Sequence, residues 1–317
     1  MSSEKMDIAT FEMPKLPAVM TQHNKPRRFI HVIQAVLGML CLYSLIVTHD
    51  TYIANLSVPT IHHSPSAVGK VTMLYDDSPF LERALDTHRD HSHRQGYPLS
   101  VRRNSVFGGG WNKYAVLLSA IVQELEKPLN QRVKWMFWFD SNTILMNPNM
   151  PLETFLPPPE FSHVHLLLTK DWNGIKNHVF FLRVHPWSIK LLSAAIAYPA
   201  THDPVSSDLS ALDNAVQEND YFSRSVVYCP LRWFNAYTRT ADDEGWRAGS
   251  SPHFQIHPGD LLVNFPRTPY QQLNESMLPY LDLAERHEKR WEPNVEGTGY
   301  VEEVARFWKS IHGSPAD

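Results

Sequence analysis

The chain has 317 residues and 43% hydrophobic residues, enough for one large domain or two small ones. Its formal net charge of -4 provides no basic surface, which argues against nucleic acid as a partner. Only two cysteines are present, Cys41 and Cys229, so a disulfide framework and a cysteine-based zinc site are both excluded.

The N-terminal part of the chain predicts a membrane anchor. Residues 1–28 are polar and interrupted by prolines, as in a disordered tail. The apolar stretch of residues 29–47 would span roughly 28 Å as a helix, close to the hydrocarbon thickness of a bilayer, which predicts an anchor at residues 29–48. Lys25, Arg27 and Arg28 directly precede them and place the N-terminus in the cytosol by the positive-inside rule. We therefore predict a single-pass type II membrane protein.

The segment after the anchor predicts a linker and then a lumenal domain. Residues 49–70 contain prolines and lack periodicity, as in a stem, and residues 71–317 are expected to form the domain. A cleaved signal peptide and a buried core helix remain alternatives for residues 29–48, although the apolar region is long and lacks a polar face. Glycosylation sequons at residues 55–57 and 274–276 are compatible with a lumenal domain.

The domain is expected to open with alternating strands and helices. The predicted elements are a strand at residues 71–75, a helix at 80–93, a strand at 97–102 and a long helix at 111–126. The first of these helices contains His88, His91 and His93, which suggests a metal cluster. At 100° per residue, however, His93 points away from His88, so the three cannot share one helical face. We expect these histidines on a solvated surface.

The central stretch of the chain carries the clearest functional signal. Residues 135–139 form a run of large apolar residues that stops at Asp140, followed by Ser141 and Asn142. Such a run predicts a strand buried on both faces in the middle of an α/β sheet. Because open α/β sheets bind ligands at the carboxyl ends of their strands, Asp140 is expected to lie at a binding site.

A second pair of apolar runs, within residues 166–183, surrounds a polar turn. This turn carries Asp171, Asn173, Gly174 and Asn177. Asn and Gly tolerate left-handed backbone and offer short hydrogen-bonding groups, which suits a loop that approaches a polyhydroxylated ligand. A plain hairpin turn is the alternative interpretation. The remaining predicted elements are helices at 187–197 and 208–218, strands at 225–228 and 257–265, and terminal helices at 276–287 and 301–312.

These segments, in this order, resemble glycosyltransferase family 34, whose Golgi enzymes transfer galactose, mannose or xylose from nucleotide sugars. The family pattern begins with Asp-x-Asp, Asn-Pro and Leu-Glu, matched by residues 140–142, 147–148 and 152–153. It continues through Asp-x-Asn-Gly-Leu-Asn-x-Gly-x-Phe, a strand ending in Arg, and Trp-Ser, matched by residues 171–180, 183 and 187–188. Further matches lie at residues 230–237 and 257–265.

The resemblance implies a fold and a set of roles. The implied fold is α/β and GT-A-like, with a mainly parallel central sheet flanked by helices and preceded by one transmembrane helix. The implied reaction is retaining transfer of galactose or mannose from a UDP- or GDP-sugar to a glycan acceptor, assisted by Mn²⁺, at the Golgi membrane. The implied residues are Asp208, Asn173 and Asn177 for catalysis, Asp140, Asn142, Tyr75 and Lys113 for cofactor binding, and Asp140, Asn142 and Asn264 for the metal.

Several positions depart from the family pattern. Asn142 and Asn264 stand where the family has an Asp and a His that hold the metal. His178 replaces a glycine of the turn, and Leu209 replaces a glutamine. Because hard cations take much of their affinity from ligand charge, we expect weak metal binding.

Three hypotheses follow from these residues. The first is an active transferase that uses a nucleotide sugar. The second is a catalytically inactive homologue that serves as a partner subunit or scaffold for other Golgi glycosyltransferases. The third is a membrane-anchored, lectin-like module that binds glycan without transferring it. Metal-dependent turnover of a nucleotide sugar separates the first hypothesis from the other two.

Overall fold

The computed structural model describes residues 66–105, 111–201, 208–239, 252–266 and 268–312, without the side chains of residues 201, 208–210, 252 and 312. The predicted tail, the predicted membrane segment and the predicted stem up to residue 65 lie outside the described residues. Within the described ranges, no helix is both long and apolar enough to span a bilayer. All described residues belong to one compact unit, Val58–Asp317.

A six-stranded sheet forms the centre of this unit. Its strands are β1 (Val68–Met73), β2 (Leu99–Arg102), β3 (Trp135–Phe139), β5 (Leu166–Asp171), β6 (Gly174–Arg183) and β7 (Val226–Cys229), in the order β2-β1-β3-β6-β5-β7. β1 pairs in parallel with β2 and β3, and β5 pairs in parallel with β7. β6 is antiparallel to both of its neighbours, β3 and β5, and the short turn that connects it to β5 accounts for the second pairing. The sheet is therefore mixed, with β6 as its one reversed strand.

A second, three-stranded sheet joins the segment after β3 to the C-terminal part of the chain. It consists of β4 (Thr143–Leu145), β8 (Ala236–Tyr237) and β9 (Leu262–Asn264), in the order β4-β9-β8. Thr143 lies opposite Asn264 in the antiparallel β4-β9 pair, and Tyr237 lies beside Asn264 in the parallel β8-β9 pair. The small sheet thus begins just beyond Asp140, the residue that ends the central strand.

Helices cover both faces of the large sheet. They are α1 (Pro79–Gln95), α2 (Trp111–Glu126), α3 (Pro186–Thr201), α4 (Asp208–Gln217), α5 (Asp220–Ser223), α6 (Tyr270–Glu285) and α7 (Tyr300–His312). Successive side chains of β3 point to opposite faces, and the helices follow this alternation. His88 of α1 stacks on Phe139 with 3.7 Å between ring centres, whereas Lys113 of α2 lies over the neighbouring Trp138.

The predicted strands and helices of residues 97–126, 135–139 and 166–183 are confirmed, including the hairpin interpretation of the polar turn. Several boundaries are wrong. The strand predicted at residues 257–265 covers only Leu262–Asn264, and the terminal helix predicted from residue 276 begins at Tyr270. The stem was predicted to extend to residue 70, but β1 begins at Val68, and Lys70 is buried within it. Lys70 misled the prediction because a lysine inside a strand interrupts an apolar run.

The prediction of solvated histidines is wrong for two of the three. His88 and His91 are fully buried, while His93 is exposed. The buried residues of α1 include Leu81, Ala84, Leu85, His88 and His91, which recur at the three- and four-residue spacing of a single helical face. Position on that face, rather than polarity, therefore decides the burial of His88 and His91.

Candidate functional site

Asp140, at the carboxyl end of β3, forms an ion pair with Lys113 of α2. The Lys113 Nζ lies 3.2 Å from Asp140 Oδ1 and 3.4 Å from Oδ2, and it donates a hydrogen bond of 2.8 Å to the main-chain oxygen of Asn177. Asp140 Oδ1 also accepts a hydrogen bond of 2.7 Å from the Trp138 indole. The Asp140 side chain is 24% exposed and Lys113 only 9%, so solvent reaches the carboxylate. Three residues that the sequence analysis assigned to a site thus meet here.

Two consecutive hydrogen bonds, through Thr143 and His88, hold the backbone of Asp140 in place. The Thr143 hydroxyl donates to the Asp140 main-chain oxygen at 2.7 Å, and His88 Nε2 lies 3.1 Å from the Thr143 oxygen. Because the Thr143 proton is already used, His88 Nε2 must carry a proton and donate it to the Thr143 oxygen. Burial, followed by the nearby charge of Lys70, holds the pKa of His88 well below its ordinary value.

Lys70, His88 and His91 form a buried polar cluster next to these residues, which the sequence analysis missed. Lys70 Nζ donates to the main-chain oxygen of His88 at 2.9 Å and lies 3.1 Å from His91 Nδ1. His91 Nε2 lies 2.9 Å from the main-chain oxygen of Met150. Burial lowers the pKa of the Lys70 ammonium well below its usual range. The only signal in the sequence was the helical spacing of the two histidines with apolar neighbours.

The β5-β6 hairpin extends past the end of β3, and its strand β6 lies beside Asp140. Phe139 pairs with Val179, and the Asp140 amide donates to the His178 oxygen at 2.9 Å. Residues 174–178 therefore lie beyond the last strand position of β3. At about 3.3 Å per residue this overhang measures roughly 15 Å. Gly174 opens β6 at φ +101°, a conformation that residues with a Cβ rarely adopt.

Asp171 anchors the tip of this hairpin to the small sheet. Its carboxylate pairs with the Lys176 ammonium at 2.8 Å. It also accepts hydrogen bonds from the Tyr237 hydroxyl and from the main-chain N–H of Asn173, both at 2.7 Å. Burial pushes the pKa of Asp171 upward, but its bonds to Lys176, Tyr237 and Asn173 outweigh burial and lower it. Asp171 is therefore held as a carboxylate. Sequence analysis did not identify Lys176 or Tyr237 as its partners.

The residues predicted to be catalytic lie in different surroundings. The Asn177 side chain is buried and donates to the Tyr114 hydroxyl at 3.1 Å, whereas Asn173 is exposed at the tip of the hairpin. Asp208 is the first residue of α4, and its side chain lies outside the described part, as does that of Leu209. Tyr75, predicted to contact a cofactor, follows β1 and is exposed.

The three residues predicted to hold a metal do not form a convergent set of anionic ligands. Asn142 donates from its amide to the Phe265 oxygen at 3.2 Å, and Asn264 donates to Asn235 Oδ1 at 3.2 Å. The Phe265 amide also bonds the Asn142 oxygen, so Asn142 opposes Phe265 just as Thr143 opposes Asn264. Neighbouring positions of such a ladder point to opposite faces, which separates the side chains of Asn142 and Asn264.

The chemistry of the donors also fits a divalent cation poorly. Asn264 is fully buried, and its Oδ1 has no hydrogen-bond partner among the described residues. This oxygen is a buried unsatisfied acceptor, but it carries no charge. Asp140 contributes the trio's only carboxylate, and Lys113 already neutralises it. Within the described ranges, no group of three or more His, Cys, Asp or Glu residues could hold a metal.

Comparison with known proteins identifies a family for part of the chain. The model of the galactosyl transferase GMA12/MNN10 family matches residues 159–268. An uncharacterised α-1,2-galactosyltransferase of Schizosaccharomyces pombe is 21% identical over 64% of this chain and 68% of its own length. The probable α-1,6-mannosyltransferase MNN10 of Saccharomyces cerevisiae is 22% identical over 66% of this chain. The match covers 61% of the length of that relative.

The fold also has a counterpart among solved structures. A glycosyltransferase involved in the glycosylation of the major capsid of PBCV-1 superimposes with a TM-score of 0.52 at 12% identity. The superposition covers 68% of this chain and 100% of that protein. At this identity the likeness concerns the fold alone, an α/β arrangement of the glycosyltransferase type.

Proposed function

We propose that this chain, which matches the galactosyl transferase GMA12/MNN10 family (glycosyltransferase family 34) over residues 159–268, transfers galactose or mannose from a nucleotide sugar to a glycan acceptor. The observation that carries the proposal is the meeting of Lys113, Asp140 and the Asn177 main chain at the carboxyl end of β3. Ligands of open α/β sheets bind at this end of the strands. Retention of configuration at the anomeric carbon is part of the proposal and rests on the family likeness.

Charge balance at this site supports binding of a nucleoside diphosphate. The bond from the sugar to the diphosphate breaks most easily when the charge that develops on the phosphates is stabilised by fixed positive groups. Lys113 supplies one positive charge and Asp140 one negative charge. Because Asn142 is neutral, no second carboxylate lies there to repel the diphosphate. The pair can therefore sit beside the phosphates without an excess of negative charge.

A divalent cation has a smaller role in this proposal than in the family pattern. Mn²⁺ would neutralise the leaving diphosphate if bound, but one paired carboxylate and two amides are poor ligands for a hard cation. We therefore derive no step through Mn²⁺ and propose that turnover depends on it only weakly. Lys113, held in place by Asp140 and Asn177, is the fixed positive charge of this site and lies closest to the donor phosphates.

Turnover of nucleotide sugars by the full chain tests the proposal directly. UDP-galactose and GDP-mannose are supplied separately, each with Mn²⁺ or with EDTA, and release of UDP or GDP is measured. We expect turnover of one donor, with little loss in EDTA, and loss of turnover in Lys113→Met. Lys190→Met is the matched control because Lys190 is an exposed lysine on α3. Folded protein that turns over neither donor contradicts the proposal.

A second function is favoured by the predicted metal ligands themselves. Asn142 and Asn264 replace charged or imidazole ligands, and this loss is compatible with a catalytically inactive homologue that acts as a partner subunit or glycan-binding scaffold of Golgi transferases. Such a protein would copurify with an active transferase and would show no thermal stabilisation by UDP or GDP. Turnover of either nucleotide sugar excludes this alternative.

We also propose that the protein is a single-pass type II protein of the Golgi membrane. Support comes from the apolar residues 29–48 and from the basic residues that precede them. The sequon at Asn274 lies on α6, where the asparagine is exposed. If the domain is lumenal, this site is open to N-glycosylation, and digestion with an N-glycosidase should increase the mobility of the full chain on a gel. Sensitivity of the intact domain to protease added outside sealed Golgi vesicles would contradict the topology.

A further inference from the structure

Trp172, at the tip of the β5-β6 hairpin, is a large aromatic side chain left 55% exposed. It is backed by two other rings, since its ring centre lies 5.5 Å from that of Phe254 and 6.2 Å from that of Tyr237. An exposed aromatic residue on its own needs no explanation, but three packed rings at the tip of the hairpin that borders the candidate site form a surface that could bind a ligand.

The hairpin tip is fixed before any ligand arrives. Asp171, directly before Trp172, accepts a hydrogen bond from the Tyr237 hydroxyl and pairs with Lys176. Tyr237 in turn pairs with Asn264 in the small sheet and forms a bridge to Gln255. The tip is therefore tied to the small sheet as well as to β6. A ring held in this way loses little conformational entropy when it binds a ligand, which favours binding.

The chemistry of this surface matches a sugar ring. A pyranose presents an apolar face of C–H groups and a rim of hydroxyl groups. Tryptophan offers a wide apolar face for the first, and the neighbouring exposed amide side chain of Asn173 offers hydrogen bonding for the second.

We propose that Trp172, backed by Tyr237 and Phe254, binds a pyranose ring of the acceptor glycan. This inference rests on the proposed transferase function. The overhang of the hairpin separates its tip from Asp140 by roughly 15 Å, a distance longer than one sugar ring. The ring on Trp172 is therefore remote from the reacting hydroxyl, and the surface selects acceptors with several sugar residues over single sugars.

The proposal predicts a specific kinetic signature. Trp172→Ala should raise KM for an oligosaccharide acceptor about tenfold, which corresponds to about 1.4 kcal/mol of binding free energy. It should leave kcat nearly unchanged, since Trp172 does not contact the reacting atoms. KM for a single-sugar acceptor should not change, and Trp172→Phe should restore part of the affinity for the oligosaccharide.

The experiment uses the full chain with α-linked tetrasaccharides of mannose and of galactose, and with the methyl α-glycosides of both sugars as single-sugar probes. Binding is measured by calorimetry without donor, and KM and kcat are measured with UDP-galactose or GDP-mannose. The control variant is Tyr221→Ala, which removes an aromatic residue 49% exposed on α5. Thermal unfolding verifies that each variant is folded.

The outcomes separate this inference from the function on which it rests. Tetrasaccharide binding that weakens in Trp172→Ala but not in Tyr221→Ala supports the inference, even if no nucleotide sugar is turned over and the transferase proposal fails. Equal binding in wild type and Trp172→Ala, or no binding of either tetrasaccharide by wild type, overturns it. Turnover that persists with unchanged KM in Trp172→Ala overturns it while leaving the transferase function intact.

Discussion

The ammonium of Lys113 lies 3.2 Å from the carboxylate of Asp140, although the two residues belong to different elements, the first turn of α2 and the end of β3. The same ammonium reaches the main chain of β6 at Asn177. One side chain thus connects a helix and two strands around the candidate site. Its removal should affect both stability and ligand binding.

We predict that Lys113→Met loses about 1–3 kcal/mol of unfolding free energy, because Asp140 keeps a partly buried charge without its partner. Urea denaturation at pH 7 measures the loss. The double variant Lys113→Met with Asp140→Asn should regain most of it, since neither charge then remains. Neither variant should turn over a nucleotide sugar. A single variant as stable as wild type would show that the ion pair contributes nothing to the fold.

Asn142→Asp should strengthen Mn²⁺ binding, because it adds a second carboxylate two positions from Asp140. Saturation to 100 times the dissociation constant stabilises a fold by about 2.7 kcal/mol, and each kcal/mol raises Tm by roughly 2–4 °C in a domain of this size. We expect Mn²⁺ to raise the Tm of Asn142→Asp by about 5–10 °C and that of wild type by much less. Asn219→Asp, at the exposed N-cap of α5, is the control and should respond like wild type. Equal Mn²⁺ responses of Asn142→Asp and wild type would contradict the prediction.

Asp260 should make the protein less stable as pH rises from about 4 to 6. Burial raises the pKa of Asp260 to about 6 from its ordinary value of 3.8, against the opposing charge of Arg232. The folded state therefore holds this proton over a range in which the unfolded chain has lost it, so stability falls as pH rises through that range. A difference of about two pKa units corresponds to roughly 3 kcal/mol.

Asp260→Asn removes this titration while keeping the size of the side chain. The free energy of unfolding of Asp260→Asn, relative to wild type, should therefore increase by roughly 3 kcal/mol between pH 4 and pH 7. Urea denaturation at both pH values provides the measurement. A difference between the two proteins that stays constant with pH would mean that Asp260 has an ordinary pKa in the folded state.

His88 should make the protein sensitive to acid. Its pKa is lowered by burial and by the charge of Lys70, so below about pH 6.5 the unfolded chain takes up a proton that the folded state excludes. Stability is then lost as pH falls from the ordinary histidine value toward the lowered one. His88→Phe keeps a ring against Phe139 and should lose less stability than wild type between pH 7 and pH 5. His93→Phe, on the exposed face of the same helix, should follow wild type, and equal pH slopes in all three proteins would contradict the prediction.

The central strand and the hairpin could be predicted because their signals are local. Residues 135–139 form an unbroken apolar run that ends at a carboxylate, and the polar turn after residue 171 has the composition of a hairpin. The placement of Asp140 at the end of a buried strand followed from that run. Its proximity to Lys113 depends on how α2 packs over β3, which no local pattern contains.

Other parts of the site depend on partners far along the chain. Asp171 and Tyr237 are 66 positions apart, and their hydrogen bond exists only because β8 pairs with β9 beside the hairpin. His88 and His91 were assigned to solvent by their polarity, although their spacing with Leu81 and Ala84 indicates a buried face. A polar residue on an apolar helical face can be buried when main-chain oxygens and hydroxyls satisfy it, and only the tertiary structure supplies these groups.

The pairing of β4 with β9 has a consequence for the order in which the protein matures. β4 follows Asp140 almost immediately, but its hydrogen-bonding partner, residues 262–264, lies more than a hundred positions later. During synthesis β4 therefore lacks its pairing strand until nearly the whole domain has been made. A chain terminated before residue 262 would contain Lys113, Asp140 and Asn177 and still lack a completed site. Activity should therefore be acquired late in folding.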